Sequence, residues 1–252
     1  MADKEVMIKY VLQSITSYIM SIYLLPNSFI DDIEKMINAF WWGGRSNNRG
    51  IKWIAWERVA YPKDFGGMGF QNFKAFNIAM IAKQGWSFLS KLESLVARVF
   101  KSRYFPSSSF LGSKLGYNSS FDWRSIWTSC QLLLYGCRRT IGNGQQVSVM
   151  IDPWVRGVHG SWIRSPQSQS VHSLRVSDLI ADNERVWDID KIKSLFSNDM
   201  VQAILDTPLF AEVQNDSIAW MMERNGRYIV KTGYKLAMME LLHTDRFHVK
   251  GE

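Results

Sequence analysis

Between Phe40 and Phe70 the chain reads FWWGGRSNNRGIKWIAWERVAYPKDFGGMGF, and this stretch limits the possible folds more than any other. It carries four of the eleven tryptophans and six of the seventeen glycines, with only two acidic residues. Glycine at this density punctuates structure, so no long helix or strand runs through the segment. Two apolar helical patterns precede it and two follow it, and it must be where they meet.

Upstream, Val11, Ile15, Tyr18 and Ile22 recur at steps of four, three and four. That spacing predicts an amphipathic helix over residues 4–24, packed on protein along this stripe and stopped by Pro26. Asn27 or Ser28 is placed to cap a second helix, which buries Ile30, Ile33, Ile37, Phe40 and Trp41 and ends in a left-handed turn at Gly43-Gly44. Within the central segment the expectations are an exposed loop over 45–50, a short strand over 51–54 and a helical turn over 55–60 with Trp56 inward. Pro62 and Gly66-Gly67-Met68-Gly69 then force turns.

Downstream, Asn72 caps a long helix with Phe73, Phe76, Met80, Trp86 and Leu89 facing inward. A further helix over 93–104 presents Leu95, Val96, Val99 and Phe100, with Arg98, Lys101 and Arg103 on its other side. Asp122 caps a helix through Tyr135, closed by Gly136. Residues 138–150 read as a hairpin about Gly142-Asn143-Gly144, because Asn-Gly supplies the positive φ angles of a tight turn. Short helices over 189–196 and 199–205 come next, then a second hairpin joining 217–222 to 228–231 about Asn225-Gly226, and a last helix over 234–242. The expected fold class is mainly α with small β-hairpins (α+β). A helical domain spans residues 1–158 and a smaller α+β piece spans 174–243, with 159–173 and 244–252 flexible.

Charge is distributed unevenly. The net charge of +7 belongs to the middle of the chain, since residues 43–104 carry eleven basic and three acidic side chains. A concentrated positive field suits a polyanion such as nucleic acid or an anionic membrane surface. Arg45, Arg49, Lys52, Trp53, Arg58, Lys63, Lys74 and Lys83, continued by Lys101 and Arg103, form the candidate nucleic-acid-binding set. Lysine and arginine neutralise phosphates, while exposed aromatic faces stack on unpaired bases.

Other chemistries are excluded or weak. Cys130 and Cys137 fit neither a disulfide framework nor a paired-thiolate zinc site and read as small apolar fillers of a reduced intracellular protein. Residues 7–25, the most apolar run, are broken by Lys9, Gln13 and several hydroxyl residues, so a soluble chain is expected, nuclear or cytoplasmic, with no membrane partner. No phosphate-cradling loop, GxSxG elbow or HExxH pair is present, and the four histidines are scattered. No metal, cofactor or small-molecule substrate is expected. Phe29-Ile30-Asp31-Asp32 matches the aromatic-X-Asp-Asp pattern that holds magnesium in reverse transcriptases. That chemistry needs a tight β-hairpin facing a third aspartate, whereas these residues sit in a helical pattern just after a proline and read as a helix start.

At several blocks the chain resembles the region after the polymerase palm in plant LINE-type (non-LTR) retroelement reverse transcriptases. The blocks are KEVMIKYVLQSITSYIMSIYLLP, FWWGG, WERVAYPKDFGGMGF, AFNIAMIAKQGWSFL, IGNGQQV, DPW and NGRYIVKTGYKLA, in that order along nearly the whole chain. The resemblance implies that residues 1 to about 104 correspond to the thumb, a helical bundle that holds the template–primer duplex, together with its extension. Residues from about 105 correspond to the linker that follows. It implies RNA or a DNA/RNA duplex backbone as partner and a palm domain as a protein partner. It carries over no catalytic residue, because the palm aspartates are absent. Two alternatives stand beside nucleic-acid binding: a protein–protein interaction or structural module, and a retroelement remnant with no selected role.

Overall fold

The helix Asn27–Trp42 shows how local sequence sets the architecture: Ile30, Ile33, Ile37 and Trp41 fall on one side and are buried, as their spacing predicts, whereas Phe40, expected with them, is exposed. The computed structural model describes residues 2–43, 53–61, 63, 66–156, 162–163, 169–181, 185–210 and 212–241. Pro26, not Asn27 or Ser28, occupies the N-cap of this helix, with extended backbone (φ −58°, ψ 142°). Its C-terminal end is extended rather than left-handed, with Gly43 at φ −65° and ψ 136°. Glycine suits that position because a Cβ would stand 2.8 Å from the Ala39 carbonyl oxygen. The Lys4 ammonium donates to the Phe40 carbonyl at 3.0 Å and to the carbonyls of Trp41 and Gly43. It thereby satisfies acceptors that the helix end leaves open.

The first helical run departs from expectation. Ala2–Met7 is α-helical, Ile8–Leu12 is a π turn, and short α segments Gln13–Ile15 and Ser17–Met20 follow around Thr16. A π turn holds an extra residue, so the phase of a regular 3.6-residue repeat does not carry across it. Ile8, Gln13 and Met20 are buried, whereas Val11, Ile15, Tyr18 and Ile22, the expected packing stripe, are 42%, 66%, 74% and 38% exposed.

The chain forms two compact units, each discontinuous in sequence. The first comprises Met1–Gly85, Leu115–Tyr135 and Ile229–Glu252, the second Trp86–Lys114 and Gly136–Tyr228. In the first unit, Trp56 stacks on Phe70 at 5.4 Å and Trp41 meets the same ring edge-on at 5.0 Å, within a core that includes Ile8, Met20 and Phe73. Gly66 and Gly69 take positive φ (76° and 69°), and Met68 N–H donates to the Val59 carbonyl across this turn. Asn72 caps the helix Phe73–Ser90, accepting from Ala75 N–H at 2.9 Å. Asn77, fully buried on that helix, fastens the end of the first run through the backbone of Met20, Tyr23 and Leu25. Ser120, rather than Asp122, caps the helix Phe121–Thr128, and Trp123 is buried beneath it with its indole N–H on the Leu115 carbonyl at 3.1 Å.

The second unit has its own core, with Ile141, Val147, Trp154, Val171, Leu179 and Ile204 at its centre. Strand β1 (Cys137–Thr140) pairs antiparallel with β2 (Ser217–Trp220), Cys137 opposite Trp220 and Thr140 opposite Ser217. Each strand was expected in a local hairpin; instead they pair with each other across the chain. The Gly142-Asn143-Gly144 turn wraps the Asp216 carboxylate, which accepts from the N–H groups of Gly142, Gly144 and Gln146. That turn therefore docks on the start of β2 instead of returning a strand. Asn225-Gly226 does make a tight turn, with Trp220 N–H donating to the Gly226 carbonyl at 2.8 Å, but residues from Val230 are helical. Parts of the expected flexible stretch 159–173 are packed: Ile163 and Val171 are buried and Gln169–Ser173 forms a 3₁₀ turn. Residues 244–252 lie outside the described residues.

The helix Leu95–Tyr104, capped by Ser94, also turns differently from expectation. Leu95, Val96 and Val99 are exposed, while Ala97 is buried and Phe100 packs on Phe88 at 5.2 Å. Cys130 and Cys137 are buried and are not joined in a disulfide, and burial pushes the Cys137 thiol up to about 12. The fold is mainly α with a small antiparallel β element. No described helix is long and apolar enough to cross a membrane.

Candidate nucleic-acid interface

Trp53 is 73% exposed, yet three residues later Trp56 is 5% exposed. The chain passes from solvent into the core through Ala55, whose extended backbone (ψ 147°) leads into the helical turn Trp56–Val59. Burial of Trp56 and Val59 turns Arg58 outward. Lys63 is exposed, its stem lying along the glycine turn so that a Cβ on Gly69 would stand 3.5 Å from its Cγ. Lys74 and Lys83 are exposed on the helix Phe73–Ser90. Nine residues apart on a helix, they project from opposite sides.

Trp53, Arg58, Lys63, Lys74 and Lys83 thus belong to the first unit, whereas Lys101 and Arg103 belong to the second. The latter two sit in the last turn of their helix, where cations face its negative dipole end, and the Arg103 guanidinium lies 5.4 Å from the Tyr104 ring centre. Arg45, Arg49 and Lys52 lie outside the described residues. Among the described residues, Lys63, Lys74, Lys83 and Lys101 form no ion pair with a carboxylate. Such ammonium groups are available to an external anion.

Two carboxylates of the first unit are shifted in opposite directions. Glu5 accepts from Lys9 Nζ at 2.7 Å, and this bond, with a smaller contribution from Lys63, holds its carboxyl below the ordinary value. Glu34 behaves oppositely, raised to about 7 mainly by burial. The Phe73 N–H bonds to it and pulls the other way, while Asp31 and Glu57 push it further up. Tyr234 closes the same region, its hydroxyl accepting from Asn72 N–H at 3.1 Å.

Asp31 and Asp32 project from the surface of the helix Asn27–Trp42, and Asp32 pairs with Lys35 at 3.2 Å. This is the helix placement expected from the sequence, not the β-hairpin of a metal-holding aspartate pair. Among the described residues no group of three or more His, Cys, Asp or Glu side chains is gathered to hold a metal ion. Arg98, Arg175 and His172 lie outside the candidate set. With Lys101 they line a cleft in the second unit, and the available signal was the place of Arg98 one helical turn before Lys101.

An uncharacterized mitochondrial protein of Arabidopsis thaliana is 37% identical over 139 residues, covering 55% of this chain and 90% of that protein. The chain belongs to the family of that protein. A putative ribonuclease H protein of Arabidopsis thaliana is 26% identical over 248 residues, 95% of this chain. The chain spans only 39% of the length of this second relative. Both relatives are plant proteins. No protein-family model and no solved structure matches the chain.

Proposed function

We propose that the chain is a plant retroelement-derived module that grips RNA or a template–primer duplex by its phosphate backbone, without reading sequence and without polymerase chemistry of its own. One observation carries this: Trp53, Arg58, Lys63 and Lys74 are exposed on one unit that has an aromatic core of Trp41, Trp56, Phe70 and Phe73, while Lys83 faces the other side of the helix Phe73–Ser90. A surface that holds many sequences contacts backbone phosphates rather than base edges. The second relative supports the same reading, because a putative ribonuclease H protein much longer than this chain fits a multidomain retroelement protein of which thumb and linker are parts. Filter binding to a short RNA–DNA hybrid tests it. Affinity is expected to fall steeply with salt, and no binding at low salt contradicts the proposal.

A second reading rests on Val11, Ile15, Tyr18 and Ile22, which present an apolar face to solvent on the first helical run. A face of this kind suits a protein partner, either a palm domain or another copy of the chain. Light scattering separates the two cases, since a monomer at high concentration counts against self-association.

A further inference from the structure

The second unit contains a cleft of about 840 Å³. Its basic wall comes from two separate segments. Arg98 and Lys101 stand one turn apart on the helix Leu95–Tyr104, so they share a face. Arg175 and His172 come from the segment just beyond Val171, and all four side chains are exposed. Arg139 also lines the cleft, but its charge is used internally: Nε lies 3.2 Å from Asp152 Oδ1, with Asp152 only 2% exposed. Asp152 Oδ2 in turn accepts from Ser148 N–H at 2.8 Å. Among the described lining residues the buried carboxylate is therefore neutralised, leaving Glu93 against Arg98, Lys101 and Arg175.

The rest of the lining differs from that of a bare anion site. Ser107, Ser108, Gln145 and Gln146 offer hydroxyl and amide groups that both donate and accept hydrogen bonds. Leu92 and Ile151, 46% and 47% exposed, add apolar surface at the same cleft. Separated cations, bifunctional polar groups and apolar patches together match a nucleotide, with its phosphate, base edge and base face. The volume lies within the range of sites that enclose a small ligand. It admits one or two unstacked nucleotides and is too small to take in a duplex.

We infer that this cleft holds the unpaired part of a polynucleotide, Arg98, Lys101 and Arg175 taking successive phosphates while the bases lie against the serine, glutamine and apolar lining. This rests on the nucleic-acid reading above and adds to it a single-strand subsite on the second unit, distinct from the cations of the first.

Fluorescence anisotropy on the full chain tests it, with a labelled single-stranded oligouridylate and, separately, a blunt RNA–DNA hybrid. In R98Q/K101Q/R175Q, single-strand affinity is expected to fall about tenfold or more, and the slope of log K against log salt to flatten by about two. Hybrid affinity is expected to stay within about twofold, since backbone contacts of the first unit are untouched. K193Q, exposed on the helix Ile189–Leu195 of the same unit and not in the cleft, is expected to bind like the wild type. I151E, which places a negative charge at the rim, is expected to weaken single-strand binding as well. Circular dichroism on each variant confirms folding. Unchanged single-strand binding in both the triple variant and I151E overturns the cleft, and hybrid binding by the wild type without single-strand binding does the same while sparing the duplex reading. Failure of the wild type to bind either probe at low salt overturns both.

Discussion

Asn77 Oδ1 accepts the Leu25 backbone N–H at 2.7 Å, and from the same side chain Nδ2 donates to the Met20 and Tyr23 carbonyls at 2.8 Å each. One fully buried amide therefore replaces the hydrogen bonds that the chain loses where the first helical run ends. Asn77→Ala leaves up to three backbone groups without this partner and is expected to destabilise the protein by about 3 kcal/mol. Asn77→Asp, which keeps an acceptor for Leu25 but cannot donate when ionised, is expected to be at least as harmful. Urea denaturation of both variants checks this, and a loss under about 1 kcal/mol in each contradicts it.

Asp216 plays the comparable part in the second unit, gathering the N–H groups of Gly142, Gly144 and Gln146 against the start of β2. Asp216→Ala is expected to cost about 2 kcal/mol, the loss moderated because Gln146 is exposed and water can reach it. Hydrogen exchange is expected to accelerate at those three amides and in β1. Unchanged exchange there would show that the turn holds without the carboxylate.

Glu34 gives a dependence on pH. Burial raises its folded-state value to about 7, above the ordinary carboxylate value of the unfolded chain. Between those two values the folded state binds the proton more tightly, so this group's contribution is fully favourable at acid pH and is lost as pH rises toward about 7. Because the side chain is only partly buried, the effect is discounted to about 1 kcal/mol. Glu34→Gln, which keeps an acceptor for the Phe73 N–H, is expected to stabilise the protein at pH 8 and to be neutral at pH 4. Melting curves at the two pH values measure it; equal shifts at both would contradict a raised Glu34.

Asp31 and Asp32 lie on an exposed helical surface with no third ligand-type side chain gathered there among the described residues. Asp31→Asn/Asp32→Asn is expected to change stability by no more than about 0.5 kcal/mol and to leave magnesium affinity as it was. Isothermal titration with magnesium decides the point, and a large loss of binding would reinstate a metal site.

Ile15 and Tyr18 face solvent at 66% and 74% exposure on the first helical run. If that face seats another copy, Ile15→Asp is expected to convert associated wild type into monomer by light scattering. A wild type that is monomeric at high concentration removes self-association and leaves a different protein partner.

The helices were legible where apolar residues keep a single period: Ile30, Ile33, Ile37 and Trp41 are buried as their spacing required. Spacing failed in the first run because a π turn at Ile8–Leu12 breaks the repeat, a feature set by backbone hydrogen bonding rather than composition. It failed again at Leu95, Val96 and Val99, which are exposed; of that set Phe100 packs inward, with Ala97 beside it. Asn-Gly correctly marked a tight turn at Asn225-Gly226, but strand partners are a long-range property, and β1 pairs with β2 across the chain. Of the candidate cations, exposure was readable from charge alone; the grouping of Arg98 and Lys101 with Arg175 was not, because it depends on how distant segments fold together.

The most direct measurement is the salt dependence of binding to a short RNA–DNA hybrid by the full chain, beside Lys63→Gln/Lys74→Gln/Lys83→Gln. About three phosphate contacts imply a fall in affinity of about 40-fold between 50 and 200 mM salt, with a shallower slope in the triple variant. Affinity that does not change with salt, or identical slopes for wild type and variant, would contradict a backbone grip by the first unit.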